Sequence, residues 1–327
     1  MKQNPISFKN ILEARKRIAS FVMRTPTHLC MPFSQKTGAE VYLKLENFQP
    51  IRVFKIRGAL NKISTLSPLE RERGVITASS GNHGLAVSYA AKIFGIKAII
   101  CVPEKAVKEK VKAIEEYGAE IIKYGKDFDE AYSKALEIQN KSEATFIHPF
   151  NDPLVIAGQG TIGLELLEDV PDLDTIIVQV GGGGLISGIS MAAKTLKPDI
   201  KVIGVQPEGA QAYYQSLKSE RLIELGSLHT VADGLAARKP AELNFEIIKR
   251  YVDDILLVSD NEIGEAVLAY LHEAHLLIEP SGAASLAALM FKYHPNPREK
   301  IAVIASGGNI SFDYLASLIR LQMSTCR

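Results

Sequence analysis

Three glycine-bearing turns and one lysine carry the residue types best suited to chemistry. Gly181-Gly182-Gly183-Gly184 directly follows the apolar run TIIVQV and opens the helix-like LISGISMAAK. Four residues without a Cβ let backbone N–H groups converge at a helix N-terminus, which suits a phosphate. A plain strand-to-helix turn needs fewer glycines, so phosphate binding is the favoured reading. Ser79-Ser80-Gly81-Asn82-His83-Gly84 again joins a strand-like run to a helical one. Its hydroxyls, amide, imidazole and backbone donors suit a carboxylate; the structural alternative is a helix N-cap from Ser80 or Asn82. Ser306-Gly307-Gly308-Asn309 follows the strand-like IAVIA. Three such turns at the carboxyl ends of strands are expected to meet where α/β sheets bind ligands.

Lys55 stands among Val53, Phe54, Ile56 and Leu60 in RVFKIRGALNKI. An apolar setting lowers an amine's proton affinity by desolvation and makes it a usable nucleophile. A lysine on a solvated helix face fits the same pattern, and both readings stay open at this point. Gly182, Gly184 and Gly188 form GxGxxxG, one residue off the dinucleotide fingerprint, with Glu208 as a candidate ribose partner. A nicotinamide-dependent oxidoreductase is therefore the alternative from a different class. His272 and His275 flank Glu273 at i,i+3 rather than the i,i+4 of a zinc-binding HExxH, and no third ligand accompanies them. They read as ordinary helix histidines.

The elements that must position these residues are legible as short apolar runs alternating with longer helical patterns. VYLKLE, GVITA, KAIICVP, AEIIKY, TIIVQV, KVIGVQ, DILLVS and IAVIAS read as buried strands. Helical stretches include residues 82–94, 107–117, 127–140 and 261–276. Near-continuous apolar strands joined by helices predict an α/β fold with parallel sheets covered on both faces. At 327 residues the chain is long enough for about two domains. Turn-rich TLSPLERERG near Pro68 and HPFNDP around Pro149 and Pro153 are the expected breaks. They predict a larger domain of residues 1–66 and 150–327 and a smaller one of residues 67–149.

With 38 basic and 37 acidic residues, the chain lacks the basic footprint of a nucleic-acid binder, and no polybasic block suggests a membrane surface. Cys30, Cys101 and Cys326 are far apart and form no CxxC, which argues for a reducing compartment and against a disulfide framework or zinc finger. The opening MKQNPISFKN has no apolar signal-peptide core. The apolar stretch 176–193 contains Gln179, Ser187, Ser190 and four glycines, which suits a buried strand and helix rather than a membrane span. A cytoplasmic globular protein is expected.

Taken together, these motifs resemble the fold-type II pyridoxal-phosphate enzymes, specifically the threonine/serine dehydratase and serine racemase group. The resemblance runs from Arg24-Thr25-Pro26 through KLEN (Lys44 to Asn47), FKIRGA (Phe54 to Ala59) and SSGNHG (Ser79 to Gly84). It continues through AGQGT (Ala157 to Thr161), GGGG, ADG (Ala232 to Gly234), EPSGA (Glu279 to Ala283) and SGGN. It implies two parallel-sheet domains of the tryptophan-synthase-beta-like architecture, with the cofactor in the cleft between them. It further implies that Lys55 forms the Schiff base with pyridoxal 5'-phosphate and that Phe54 packs against the ring. Gly181, Gly182, Gly183 and Gly184 would cradle the phosphate, Asn82 would bond the ring hydroxyl, and Ser306 would face the ring nitrogen. Gly234 would lie near the cofactor. Ser79, Ser80, Asn82 and His83 would hold the substrate carboxylate, with Ser80 a candidate second catalytic residue. The resemblance also points to a homodimer or homotetramer acting on a small amino acid.

Three departures bear on this expectation. Arg52-Val53 stands where the family usually has Gly-Ser or Gly-Ala before FK. Gln206 and Ala212 stand where related enzymes carry metal-binding acids, so no metal is expected. Only 18 residues follow Asn309 (327 − 309), too few for the regulatory domain of biosynthetic threonine dehydratases, so isoleucine feedback through such a domain is not expected. The implied activity is deamination of L-threonine or L-serine to a 2-oxo acid and ammonia. A serine racemase with side dehydratase activity is the nearer alternative. A non-catalytic metabolite-binding protein would leave Lys55 and the three polar turns without a role.

Overall fold

The computed structural model describes residues 6–325, so Cys326 and the opening five residues lie outside the described residues. The first stretch carries α1 (Phe8–Ile18), β1 (Thr27–Leu29), α2 (Met31–Thr37), β2 (Glu40–Lys44), α3 (Lys55–Ser64) and α4 (Pro68–Arg73). Then come β3 (Val75–Ala78), α5 (Asn82–Phe94), β4 (Ala98–Val102), α6 (Lys108–Glu115), β5 (Glu120–Lys123), α7 (Phe128–Ser142) and β6 (Thr145–Phe146). They are followed by α8 (Pro153–Asp169), β7 (Thr175–Gln179), α9 (Gly184–Leu196), β8 (Lys201–Pro207) and α10 (Ala212–Lys218). The last are α11 (Glu242–Tyr251), β9 (Asp254–Val258), α12 (Asp260–Glu273), α13 (Pro280–Phe291), β10 (Lys300–Ile304) and α14 (Phe312–Thr325). Among the described residues no helix is long and apolar enough to cross a membrane.

The chain forms two compact units. One holds the chain up to Val22 together with Lys55–Gln159; the other holds Met23–Phe54 and the chain from Gly160 onward. The first contains a parallel sheet in the order β5-β4-β3-β6, with Val75 opposite Ala98 and Ile99 opposite Glu120. Every residue of β3 is buried, as expected for a strand covered on both faces. Helix α7 packs on β3 and β4, while α3 packs against α5 and α1.

The second unit holds a six-stranded sheet in the order β1-β2-β10-β7-β8-β9. It is parallel apart from β1, which runs antiparallel to β2 at the edge. All five residues of β7 are buried. Burying Ile176, Ile177 and Val178 contributes about 1.5–3 kcal/mol each. Helix α13, PSGAASLAALMF, packs on β7, β8, β9 and β10, and its small residues allow that close approach.

These units divide the chain differently from the proline-marked breaks at residues 66/67 and 149/150. Helices α1 and α3 and the start of α8 pack with the four-stranded sheet. A Cβ on Gly58 of α3 would lie 2.5 Å from Gln159 Nε2 and 2.8 Å from Val155 Cγ1, and one on Gly158 would lie 2.5 Å from the Arg57 carbonyl. Only glycine lets the two helices meet so closely. Arg17 Nη1 of α1 donates to Asn61 Oδ1 of α3 at 3.2 Å. The turn-rich TLSPLERERG is itself a capped helix: Ser67 and Glu70 form a capping box, with Pro68 in the first turn.

Candidate active site

In the six-stranded unit the four glycines follow β7 and run into the first residue of α9. Gly183 is the N-cap of α9 with φ +88°, a left-handed conformation that glycine adopts without strain. A Cβ there would lie 2.5 Å from Tyr213 Oη and 2.9 Å from Asn244 Cβ. A Cβ on Gly181 would lie 2.6 Å from the Gly234 carbonyl, so two expected cofactor residues are brought together. The Gly182 carbonyl accepts hydrogen bonds from Tyr213 Oη at 2.9 Å and Asn244 Nδ2 at 3.1 Å. Neither Tyr213 nor Asn244 was singled out in the sequence, because each reads as an ordinary helix residue.

No side chain caps α9, yet its first residues, Gly184, Leu185 and Ile186, are buried. The opening N–H groups of a helix have no intrahelical acceptors, and together with the helix dipole they favour an anion. This glycine-lined, uncapped N-terminus fits the phosphate of pyridoxal phosphate.

Ser306, at the end of β10, is buried, and its carbonyl accepts the Phe54 N–H at 3.0 Å. Phe54 packs half-buried against the core beneath the sheet. Next to it, Val53 pairs with Gly307 in an isolated bridge. Arg52 adopts φ +58°, a left-handed conformation that costs an L-residue about 1–2 kcal/mol. Here the Arg52 side chain donates to Asn309 Oδ1 at 3.0 Å, and its carbonyl accepts the Gly308 N–H at 2.9 Å.

Several of the remaining motifs are supports. Buried Lys44 donates to the Thr25 carbonyl and pairs with Glu165, both at 2.7 Å, while Thr25 Oγ1 donates to buried Glu46 at 2.5 Å. This network ties the end of β2 to the segment before β1 and to α8, while β2 pairs in parallel with β10, the strand that delivers Ser306. Ser281 of EPSGA accepts the Gly234 N–H at 2.9 Å, and the Glu279 N–H donates to the Gly307 carbonyl at 3.0 Å.

Gln206 is fully buried, and its carboxamide is committed three times. Nε2 donates to the carbonyls of Val180 and Ala210 at 3.3 and 3.1 Å, and Oε1 accepts the Tyr214 N–H at 2.9 Å. Among the described residues no three His, Cys, Asp or Glu side chains group to hold a metal ion, and His272 and His275 are exposed near the end of α12.

In the four-stranded unit Lys55 is the first residue of α3. It is half-buried, and its Nζ donates to the Pro149 carbonyl at 3.1 Å, so the solvated-face reading does not hold. Ser79, Ser80, Gly81 and Asn82 are half-buried where β3 passes into α5. Gly81, rather than Ser80 or Asn82, is the N-cap, and no side chain closes the helix start. That start can accept a carboxylate.

His83 is buried, and its Nε2 bonds the Ile147 carbonyl at 2.8 Å; Nδ1 has no partner among the described residues. Burial, helped by the nearby Lys55 charge, lowers His83 to about 3. The same two causes lower His148 to about 4. Both imidazoles therefore stay neutral near neutral pH. His148 is a residue the sequence reading passed over: it stood in the HPFNDP run, taken only as a turn.

The match to the family described as "Pyridoxal-phosphate dependent enzyme" spans residues 18–307. The chain belongs to that family. An L-threonine ammonia-lyase from Thermotoga maritima is 46% identical over 314 residues, covering 96% of this chain and 78% of that protein. A serine racemase from Oryza sativa subsp. indica is 42% identical, covering 94% of this chain and 91% of the other. The solved structure of maize serine racemase superposes with a TM-score of 0.92 at 38% identity, covering 98% of each chain. Pyridoxal phosphate is thus the cofactor, and the nicotinamide reading built on Gly182, Gly184, Gly188 and Glu208 is set aside.

Proposed function

We propose that this enzyme deaminates L-threonine or L-serine, giving the 2-oxo acid and ammonia. The observation that carries the reading is the half-buried Lys55 amine, which faces the Pro149 carbonyl in the same unit as the uncapped start of α5. An amine base and a carboxylate site are what Cα deprotonation of an amino acid requires. The ammonia-lyase among the relatives described above supports the same reaction.

In this reading Lys55 would hold the cofactor through its Nζ, and with substrate bound that Nζ would take the Cα proton. Bound pyridoxal phosphate supplies the electron sink for the pair left at Cα. Backbone donors and hydroxyls of Ser79 and Ser80 hold the substrate carboxylate, with Asn82 and His83 completing the loop. Gly181, Gly182, Gly183 and Gly184 bind the phosphate through α9, Phe54 packs on the ring, and Gly234 backs the turn. Asn82 orients the ring hydroxyl. Ser306, a neutral partner for the ring nitrogen, would not hold that nitrogen protonated, which would favour prompt elimination, the β-hydroxyl leaving as water with a proton that balances the one taken from Cα. The released enamine becomes an imine, and hydrolysis gives the 2-oxo acid and ammonia.

We assign the enzyme to the cytoplasm as a homodimer or homotetramer, as the family resemblance implies.

Ser80 favours a second activity. Racemisation needs a proton donor on the face of Cα opposite Lys55, and the half-buried Ser80 hydroxyl is the candidate. The test is chiral product analysis of the purified enzyme with L-threonine and L-serine. The 2-oxo acid is expected as the main product, and Ser80→Ala should abolish D-serine formation while deamination continues. D-serine as the main product of the wild type would overturn the preference for a lyase.

A further inference from the structure

The stretch between β6 and α8 is anchored at both ends. The Ile147 N–H donates to the Ile76 carbonyl at 2.9 Å, and the Ile147 carbonyl accepts from Thr77 Oγ1 and His83 Nε2, both at 2.8 Å. At the far end Asp152 Oδ1 accepts the N–H groups of Leu154 and Val155 at 2.8 and 3.2 Å, and its other oxygen pairs with Lys62 at 2.8 Å. Between these anchors the chain is shaped by one side chain. His148 Nδ1 accepts the N–H groups of Phe150 and Asn151 at 3.2 and 2.8 Å. The ring is steadied by an edge-on contact with Phe150, centroids 4.7 Å apart, and a tilted one with Phe146 at 6.3 Å.

The imidazole thus closes a turn around Pro149. Pro149 has no N–H of its own, and its carbonyl receives Lys55 Nζ at 3.1 Å. We propose that His148 is a positioning residue that holds the Pro149 carbonyl as the docking acceptor for the Lys55 amine. The proposal rests on the reading of Lys55 as the residue that bonds the cofactor and removes the Cα proton. When the Cα–H bond breaks, the new N–H bond forms at Nζ, and the resulting ammonium gains a carbonyl acceptor already in place. Such fixed acceptors stabilise a charge as it develops, because no reorganisation is needed during the step. A protonated imidazole would turn Nδ1 into a donor facing two N–H groups and open the turn, and the lowered proton affinity of His148 keeps that state away near neutral pH.

The experiment compares His148→Leu, His148→Asn and His148→Gln with the wild-type holoenzyme and apoenzyme. Asparagine places its amide oxygen where Nδ1 lies and keeps the acceptor; leucine removes it; glutamine moves it out to the Nε2 position. Expected for His148→Leu is a loss of about tenfold or more in kcat with KM for L-threonine nearly unchanged. Turnover in His148→Asn should stay within about threefold of wild type. In the apoenzyme, acetic anhydride labelling of Lys55, read by mass spectrometry, should be faster in His148→Leu and unchanged in His148→Asn.

If His148→Leu does not fold, the contrast between His148→Asn and His148→Gln decides, with glutamine the impaired one. Equal impairment of His148→Asn and the variants lacking the acceptor would make the imidazole itself the working group and overturn the proposal. Wild-type turnover and labelling in His148→Leu would overturn it as well. The apoenzyme labelling needs no cofactor, so it reports on the dock even if another lysine proves to bond pyridoxal phosphate.

Discussion

Gly183→Ala adds one methyl group at the point where the phosphate turn is tightest. The backbone there has φ +88°, which costs an L-residue about 1–2 kcal/mol. The new Cβ would lie 2.5 Å from Tyr213 Oη and 2.8 Å from Tyr213 Cζ. Tyr213 has little freedom to yield, since it is fully buried, its Oη donates to the Gly182 carbonyl and it accepts the Ala241 N–H. Forcing a methyl into such a site costs about 1–3 kcal/mol more. If the turn relieves the strain by moving its N–H groups, a mid-range loss of about 3 kcal/mol weakens cofactor binding by roughly a hundredfold. Titrating the apoenzyme with pyridoxal phosphate, followed by visible absorbance, measures this directly, and thermal melts of the apoenzyme measure the part lost to the fold. Gly226→Ala is the control, because nothing lies within 4 Å of its added Cβ. A folded Gly183→Ala enzyme with wild-type cofactor affinity and apoenzyme stability would refute the reasoning.

Two further outcomes follow from groups near the site. Neutral His83 and His148, lowered to about 3 and about 4, resist protonation in the fold, whereas an unfolded chain protonates histidine below about 6.5. The unfolded state then binds more protons, so stability falls as pH drops from about 6.5 to about 4; melting temperatures of His148→Asn should show a shallower fall than wild type, and identical curves would count against it. Because the Gln206 amide already bonds the Val180 and Ala210 carbonyls, a divalent-metal chelator should leave turnover essentially unchanged, and strong reversible inactivation would contradict this.

Much of the fold is legible because parallel strands read as largely apolar runs, and eight of them do, although β5, expected to be buried, is an edge strand with none of its four residues buried. β1 is three half-exposed residues at an antiparallel edge and β6 is two residues, too short for any period to show. Domain limits are hidden for a different reason. Turn residues mark where the chain reverses, while the units are set by helix contacts such as Gly58 against Val155 and Gln159, which no local pattern announces. The phosphate turn and the Ser79 loop are visible because their chemistry is concentrated in consecutive residues. Tyr213, Asn244 and Gln206 support the turn and the residue before it from 26 to 62 residues away in the chain and carry no local signal. Lys55 is one of 38 basic residues, and only its place in FKIRGA sets it apart. His148 had a signal, a histidine directly before Pro149 in a run that ends at Pro153, but composition reads that run first as a turn.

The central claim is that Lys55 bonds the cofactor. Borohydride reduction of the purified holoenzyme, followed by peptide mapping, tests it most directly. The account predicts a pyridoxyl group on Lys55, in the peptide containing Phe54 and Ile56, and loss of both label and turnover in Lys55→Ala. A pyridoxyl group on any other lysine would contradict it.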